Sequence, residues 1–117
     1  MLGSRVMPAL LALVDELNDA GVPASLNRSE VNTPGAWVSP QTIDVTTLDG
    51  GGTARVHIVL VVGDLGDTAS HTALLGLVDK VLTLGLFPAD AGIDTGWSLM
   101  LRDQPLPAYR FPIDLDI

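Results

Sequence analysis

The sequence predicts an α+β fold in which two helices pack on one face of a four-stranded, largely antiparallel sheet. Two segments carry apolar residues at helical spacing, and four others are rich in β-branched residues or alternate apolar with polar residues. Glycine- and proline-rich stretches separate these segments. Their order along the chain is α-β-β-α-β-β, which places both helices in one layer. At 117 residues, the chain is expected to be a single domain, residues 1–117.

The first helix is predicted to begin near Arg5 and to stop at Gly21, since glycine commonly ends a helix. Pro8 is tolerated in its first turn, where backbone amides lack partners in any case. The apolar face of this helix consists of Val6, Leu10, Leu13, Val14 and Leu17. The next residues, 22–35, are predicted to be irregular, with a short extended piece at residues 22–25 as an alternative.

The next two elements are predicted to be strands that form a hairpin. In residues 37–47, Ile43 and Val45 alternate with polar residues, which is typical of a half-buried strand. Pro40 confines the start of this strand to a sheet edge or a bulge, because proline has no amide hydrogen for the ladder. Residues 54–62 are strongly apolar and rich in β-branched residues. The glycine run Gly50–Gly52 separates the two strands and is expected to form a loose hairpin tip.

The second helix is predicted to start near Thr68, with Asp67 as its N-cap. Leu75 and Leu82 lie well round the helix from its main apolar face, so the helix is apolar on two sides. Either its own domain encloses it, or a second protein covers the remaining side. The main apolar face carries Leu74, Leu77, Val78, Val81 and Gly85.

Two further strands are predicted at residues 97–102 and 109–117. The proline-rich residues 103–107 are expected to be a stiff connection between them. Pro112 places the last strand at a sheet edge or a bulge, or turns its nitrogen outward. The apolar residues that alternate along this strand are Tyr109, Phe111, Ile113, Leu115 and Ile117.

Composition argues against several classes of function. A net charge of −8 argues against sequence-independent binding of nucleic acid and against anionic membrane surfaces. There is no cysteine for a disulfide framework, and no apolar run approaches the roughly 20 residues of a bilayer span. Charged residues make up 17% of the chain and apolar residues 47%. Because a typical domain is about 25% charged, this balance favours a surface partly covered in an assembly.

No set of residues predicts an active site, a metal site or a cofactor site. His57 lies in an apolar strand and His71 in the first turn of the second helix, and neither has the neighbouring ligands that zinc requires. The turn at residues 63–67 lacks the spaced oxygen ligands of a calcium loop. Asp114 and Asp116 share a strand face, which is typical of a solvated or interfacial surface. The chain is therefore not expected to be an enzyme.

Several segments carry a resemblance to a known family. They are the helix Met7-Pro8-Ala9-Leu10-Leu11-Ala12-Leu13-Val14, the strand entry Pro34-Gly35-Ala36-Trp37-Val38, the strand end Val61-Val62-Gly63-Asp64 with its long helix, and Leu106-Pro107-Ala108-Tyr109-Arg110-Phe111-Pro112-Ile113. Together they resemble the tail terminator proteins, also called tail completion or minor tail proteins, of phages with long non-contractile tails. The resemblance spans most of the chain and rests on the size and order of elements.

The resemblance implies a structural virion protein, assembled in the host cytoplasm and located at the head-proximal end of the tail. Such proteins form a ring, commonly a hexamer, that caps the tail tube, ends its polymerisation and provides the head-joining surface. The implied partners are further copies of the chain, the major tail tube protein and a head-completion (stopper) protein. DNA would pass through the lumen without specific binding, and an acidic wall suits that passage. The family implies no catalytic residues and no cofactor.

A ring contact joins two different faces of the subunit, and the sequence offers candidates for such contacts. Leu75 and Leu82 are the apolar candidates. Arg55, Arg102 and Arg110 are candidates for ion pairs between subunits with Asp114, Asp116 or Asp44, with ordinary surface positions as the alternative. The predicted tube-contact loop consists of Gly50, Gly51 and Gly52.

Two other functions remain open from the sequence. One is a head-completion or connector protein at the same joint between head and tail. The other is a small dimeric ligand-binding regulatory domain of the helix-hairpin-helix-hairpin type, in which the sheet face forms the dimer.

Overall fold

The computed structural model describes residues 2–45, 52–88 and 92–116 and has an α+β fold with two helices, as predicted. The helices are α1 (Leu2–Asp19) and α2 (Asp67–Thr83), and a single 3-10 turn spans Arg28–Glu30. The strands are β1 (Ala24–Ser25), β2 (Gly35–Val45), β3 (Gly52–Val61), β4 (Asp94–Leu101) and β5 (Gln104–Asp116).

The five strands form one mixed sheet in the order β1-β2-β3-β5-β4. β1 is parallel to β2, and the other neighbours are antiparallel. The prediction of four strands is therefore wrong by one. The added strand pairs Ala24 and Ser25 with Ala36 and Trp37, and the amide of Ala36 donates to the carbonyl of Pro23 at 2.8 Å. Two residues are too few to show a strand period, so only this pairing identifies β1.

Both helices pack on the same face of the sheet. Leu10 and Leu17 of α1 and Leu74 of α2 are fully buried there against β3 and β5 residues such as Ile58 and Phe111. Within each helix, the buried apolar residues are three, four or seven positions apart, so they lie on one side of the helix. The opposite face of the sheet has no helix among the described residues, and this asymmetry positions the candidate site.

The proline-rich residues 103–107, predicted to be a connection, belong mostly to β5. Pro105 and Pro107 pair with β4 alone, because β3 joins β5 only from Ala108 onward. Pro112 pairs with β3 alone, because β4 ends its pairing at Arg110. Each proline therefore lies where β5 has one ladder partner among the described residues, so the missing amide hydrogen leaves no gap in a second ladder. The carbonyl of Pro107 still accepts from the amide of Val62, just beyond β3, at 3.3 Å. The connection shrinks to a two-residue turn at residues 102–103.

The β2–β3 hairpin is present, with Val45 paired to Gly52. The predicted irregularity at Pro40 is confirmed as a register shift between Pro40 and Thr42. Of the predicted tube-contact loop, Gly50 and Gly51 lie outside the described residues, and Gly52 is the first residue of β3.

Helix α2 differs from its prediction in two respects. It begins at Asp67, one residue early, and the preceding Gly66 has a φ of 90° and provides no side-chain cap, so the predicted Asp67 N-cap is wrong. The large apolar residues of the helix are also mostly buried within its own domain. Leu82 is partly buried and packs on the core, whereas Leu75 is 53% exposed. The predicted second apolar side of α2 therefore reduces to Leu75.

Candidate functional site

The helix-free face of the sheet carries its own apolar cluster. Residues 26–31 cover one end of this face, where Val31 is buried against the sheet. Trp37 and Trp97 are only partly buried at the edge of the covered part. The buried members of the cluster are Val31, Val59, Val61, Leu99, Leu101 and Ala108.

A cleft of about 170 Å³ opens between the two tryptophans. Strand register brings its walls together: Trp37 pairs with Val59 on β3, and Val59 pairs with Arg110 on β5. Paired residues of neighbouring strands point to the same face of a sheet, so these side chains share one surface with Trp97 of β4. The full lining is Trp37, Ser39, Gln41, His57, Val59, Trp97 and Arg110.

Each tryptophan of the cleft has an arginine over its ring. The guanidinium carbon of Arg110 lies 4.9 Å from the ring centre of Trp97, and that of Arg28 lies 5.8 Å from the ring centre of Trp37. Each cation–π contact contributes about 0.5–1 kcal/mol at an exposed site. The indole nitrogen of Trp37 also donates to the carbonyl of Leu26 at 3.2 Å. The two indoles are therefore fixed at the mouth of the cleft, with positive charge beside each.

His57 is the titratable group inside the cleft. Burial lowers the pKa of His57, and the positive charges of Arg110 and then Arg55 lower it further. The imidazole is consequently neutral at neutral pH. The field of the two neighbouring arginines, which disfavours a further positive charge on His57, is favourable to an anionic group.

Acidification is expected to destabilise the fold through His57. Because the pKa of folded His57 lies below the ordinary value of 6.5, the unfolded chain binds more protons between the two values. The stability from neutral His57 is complete above the ordinary pKa and is lost as the pH falls through the folded pKa. His57→Gln cannot titrate, so its urea midpoint should fall less than that of the parent between about pH 7.5 and about pH 5. Equal falls in the two proteins would contradict this account of His57.

The arginines and aspartates predicted to pair between subunits are partly paired within one chain. Arg55 Nε donates to Asp114 Oδ1 at 3.0 Å, and this hydrogen bond holds the pKa of Asp114 below its ordinary value. Arg110 Nη2 lies 3.4 Å from Asp94 Oδ2, an exposed pair that contributes about 0–1 kcal/mol. Arg102 donates to the carbonyl of Val31 at a long 3.5 Å. A role for these residues between subunits stays a prediction.

The remaining predicted residues separate into two places. Asp44 and Asp116 both pair with Thr53, so they lie on one face at the far end of the β2–β3 hairpin. Leu75 and Leu82 lie on the helix side of the fold. The structure thus brings Asp44, Asp116 and the Arg55–Asp114 pair toward one end of the sheet, away from both leucines.

Charge differs between the two sides of the fold. Arg28, Arg55, Arg102 and Arg110 all contact residues of the helix-free side. On the other side, α1 carries Arg5 against three acids, which are Asp15, Glu16 and Asp19. Helix α1 is therefore acidic. The helix-free side carries the four arginines together with four aspartates, two of which pair with Arg55 and Arg110. Arg28 and Arg110 border the cleft.

The structure adds one polar contact that sequence reasoning missed. His71 Nδ1 lies 2.6 Å from the hydroxyl of Tyr109, which links α2 to β5 and gives the nearly buried tyrosine a hydrogen-bond partner. Within residues 2–45, 52–88 and 92–116, no three His, Asp or Glu side chains converge as a metal site would require. His71 is thus a structural link between helix and sheet.

Comparisons with known proteins give no relative. Neither a family model, nor a curated protein, nor a solved structure matches this chain. No helix in the described part of the chain is long and apolar enough to span a bilayer. The site must therefore be interpreted from its own geometry.

The tryptophan cleft is the feature that sequence reasoning did not find. Both tryptophans occur in segments predicted as strands, but they are 60 positions apart in a chain whose strand order was unknown. Whether Trp37 and Trp97 share a face depends on the β2-β3-β5-β4 order and on the register of three pairings. The sequence offered only an indirect indication of the cleft, which is that each tryptophan lies in a strand that also carries exposed polar residues.

Proposed function

We propose that the chain is a structural subunit of a phage tail, which forms a ring on the tail tube, ends its polymerisation and offers a surface to the head-completion protein. The proposal joins the family resemblance of the sequence to a physical property of the fold. The observation that supports it most directly is that apolar surface remains exposed on opposite sides of the fold. Such a subunit suits a contact in which one face meets a different face of the next copy.

The first uncovered surface is the cleft side of the sheet. Trp37 and Trp97 remain partly exposed there. Tryptophan and arginine are the residues most enriched where proteins bind each other, because both combine a large contact area with hydrogen bonding. A surface with two indoles and two stacked guanidinium groups is therefore well suited to a protein partner.

The second uncovered surface lies on the helix layer. Met7 and Leu11 of α1 are each 51% exposed, and Leu75 of α2 is exposed to a similar extent. Scattered exposed apolar residues need no explanation in a monomer. Met7 and Leu11 are different, because their separation of four residues places them on the same side of one helix.

The β2–β3 hairpin supports a contact with the tail tube. β1 pairs with β2 only at Ala36 and Trp37, so the rest of β2 has an open outer edge among the described residues. Pro40, the adjacent register shift and Asp44 interrupt that edge, as in edge strands that resist uncontrolled pairing. A hairpin whose edge is protected in this way is suited to meeting a specific neighbour.

Electron microscopy of virions that lack the chain tests the proposed function. A terminator is needed to stop tube growth, so its loss is expected to give overlong tails. Complementation with the intact chain should restore the normal length. Tails of normal length without the chain would contradict the proposal.

The same micrographs separate the main alternative. A head-completion protein is needed to seal the head, so its loss gives heads that leak DNA beside tails of normal length. The exposed aromatic cleft is compatible with either location, since both require protein partners. Tail length is therefore the deciding observation.

A ligand-binding regulatory domain is the other alternative, and the cleft is the observation that favours it. The lining combines apolar rings with His57 and Arg110, as small-molecule sites often do. Its volume of about 170 Å³ is, however, below the roughly 300–1,000 Å³ of such pockets. A side chain of a protein partner fits this volume better than a nucleotide or a drug-sized ligand does.

A further inference from the structure

The outward side of α1 carries a defined row of residues. Met7, Leu11 and Asp15 are exposed and follow one another at intervals of four, so they form one line along the helix. We call this line the α1 row. Glu16 and Asp19 lie exposed beside its acidic end. The row is therefore apolar in its first half and acidic toward its C-terminal end.

The tryptophan cleft offers the matching chemistry. Its mouth presents the indoles of Trp37 and Trp97, on which a thioether or an aliphatic side chain packs favourably. The guanidinium groups of Arg28 and Arg110 lie over these rings. An occupant with apolar side chains followed by carboxylates would satisfy both features at once.

We propose that the α1 row of one copy docks in the tryptophan cleft of the next copy, so that Met7 or Leu11 enters between the indoles and Asp15 approaches the arginines. The inference rests on the ring-forming function proposed above and assigns its contact. Because α1 and the cleft lie on opposite sides of the sheet, one copy can use both surfaces at the same time. The contact is heterologous, as a closed ring requires.

Charge selects this pairing over the two symmetric ones. A cleft-to-cleft contact would bring Arg28 and Arg110 of two copies together, and a contact between two α1 helices would bring their acids together. Like charges brought close together disfavour both arrangements. The pairing of α1 with the cleft joins the acids of one copy to Arg28 and Arg110 of the next, and Asp94 neutralises part of the charge of Arg110 in either arrangement.

Helix α2 is the weaker occupant. It presents one exposed large apolar residue, Leu75, whereas α1 presents two on the same side. Its exposed Asp79 follows Leu75 by four residues, but the adjacent exposed Lys80 offsets that negative charge, whereas α1 has Asp15, Glu16 and Asp19 together. The α1 row is thus preferred on both apolar contact and charge.

Disulfide trapping tests the contact, because the chain contains no cysteine of its own. Leu11→Cys places a thiol in the α1 row, and Ser39→Cys places one in the lining of the cleft. Under mild oxidation, a mixture of the two single variants should give a mixed disulfide dimer, while each variant alone forms no disulfide-linked dimer. The double variant should give a ladder of linked chains.

A matched control replaces Leu11→Cys with Leu75→Cys, a second exposed leucine on the same layer. No mixed dimer with Ser39→Cys is expected from it. Trapping through Leu75→Cys in place of Leu11→Cys would overturn the choice of α1. Dimers of Ser39→Cys alone would show a sheet-to-sheet contact and would overturn the proposal as well.

Charge reversal supplies an independent readout. Arg110→Glu in the Ser39→Cys chain should abolish the mixed product, and Asp15→Lys in the Leu11→Cys chain should restore it. Lys80→Glu makes the same charge change on α2 and should leave the yield unaltered. Equal losses from Arg110→Glu and Lys80→Glu would contradict a specific role for Arg110.

Failure of this contact is distinguishable from failure of the proposed function. No mixed product, in solution and in purified tails alike, together with overlong tails in the absence of the chain, would reject the docking and leave the terminator role standing. Tails of normal length would reject the terminator role whatever the trapping shows.

Discussion

Phe111→Ala is expected to lower the free energy of unfolding by about 3–5 kcal/mol, the range for removing a buried aromatic side chain. Phe111 is 1% exposed, pairs with Ile58 in the central strands and faces both helices. The cavity would open where the sheet meets α1 and α2, so neighbouring strands could not collapse into it without moving a helix. Since domains of this size are stable by about 5–15 kcal/mol, this loss is a large fraction of the total stability.

Urea denaturation followed by circular dichroism measures the loss. Phe87→Ala is the matched control, because it removes the same ring from a side chain that is 62% exposed. Its effect should stay within about 0.5 kcal/mol. Similar losses for the two variants would mean that Phe111 does not occupy the core between sheet and helices.

Gly35→Ala is expected to cost about 3 kcal/mol, at the upper end of the range for overpacking. A methyl group at Gly35 would overlap the carbonyl oxygen of Asn32 and would lie 2.7 Å from that of Pro23. Both are backbone atoms, so no side-chain rotation relieves the overlap. The Pro23 carbonyl also accepts the Ala36 amide, so the pairing of β1 with β2 should be disturbed first.

Amide hydrogen exchange localises this effect. The Ala36 amide should lose protection in Gly35→Ala, while amides in the middle of α2 keep theirs. Gly76→Ala is the control substitution, because the added methyl group meets nothing within 4 Å beyond its chain neighbours and the nearby backbone of its own helix. Alanine favours a helix over glycine by about 1 kcal/mol, so Gly76→Ala should stabilise the chain. Unchanged protection at Ala36 would contradict the packing described for Gly35.

The parts of the fold that follow a clear period could be predicted from sequence. The apolar faces of α1 and α2 and the alternation of Tyr109, Phe111 and Ile113 each repeat often enough to indicate their element and its buried side. β1 lies within the short extended piece that was only an alternative for residues 22–25, because two residues carry no period. The extension of β5 through Pro105 was also missed, since a proline is acceptable in a strand only when the partner on that side is known to be absent.

The candidate site was less accessible to sequence reasoning than the fold. The cleft combines residues of four strands, and their proximity depends on pairings between distant segments. The sequence did indicate that His57, Arg55 and Val59 share one side of β3. It also overestimated the uncovered surface of α2, because Leu82 lies on the flank that the core covers. The exposed large apolar residues on the two helices are Leu75 of α2 and Met7 and Leu11 of α1.

The mass of the purified chain in solution, measured by light scattering over a range of concentrations, tests most directly whether copies cover one another's exposed surfaces. The mass is predicted to rise from the 12.2 kDa of one chain toward that of a closed ring, six times as large for a hexamer. Leu11→Asp should hold it near the lower value. A mass of 12.2 kDa at every concentration, with and without tail tubes, would contradict the account.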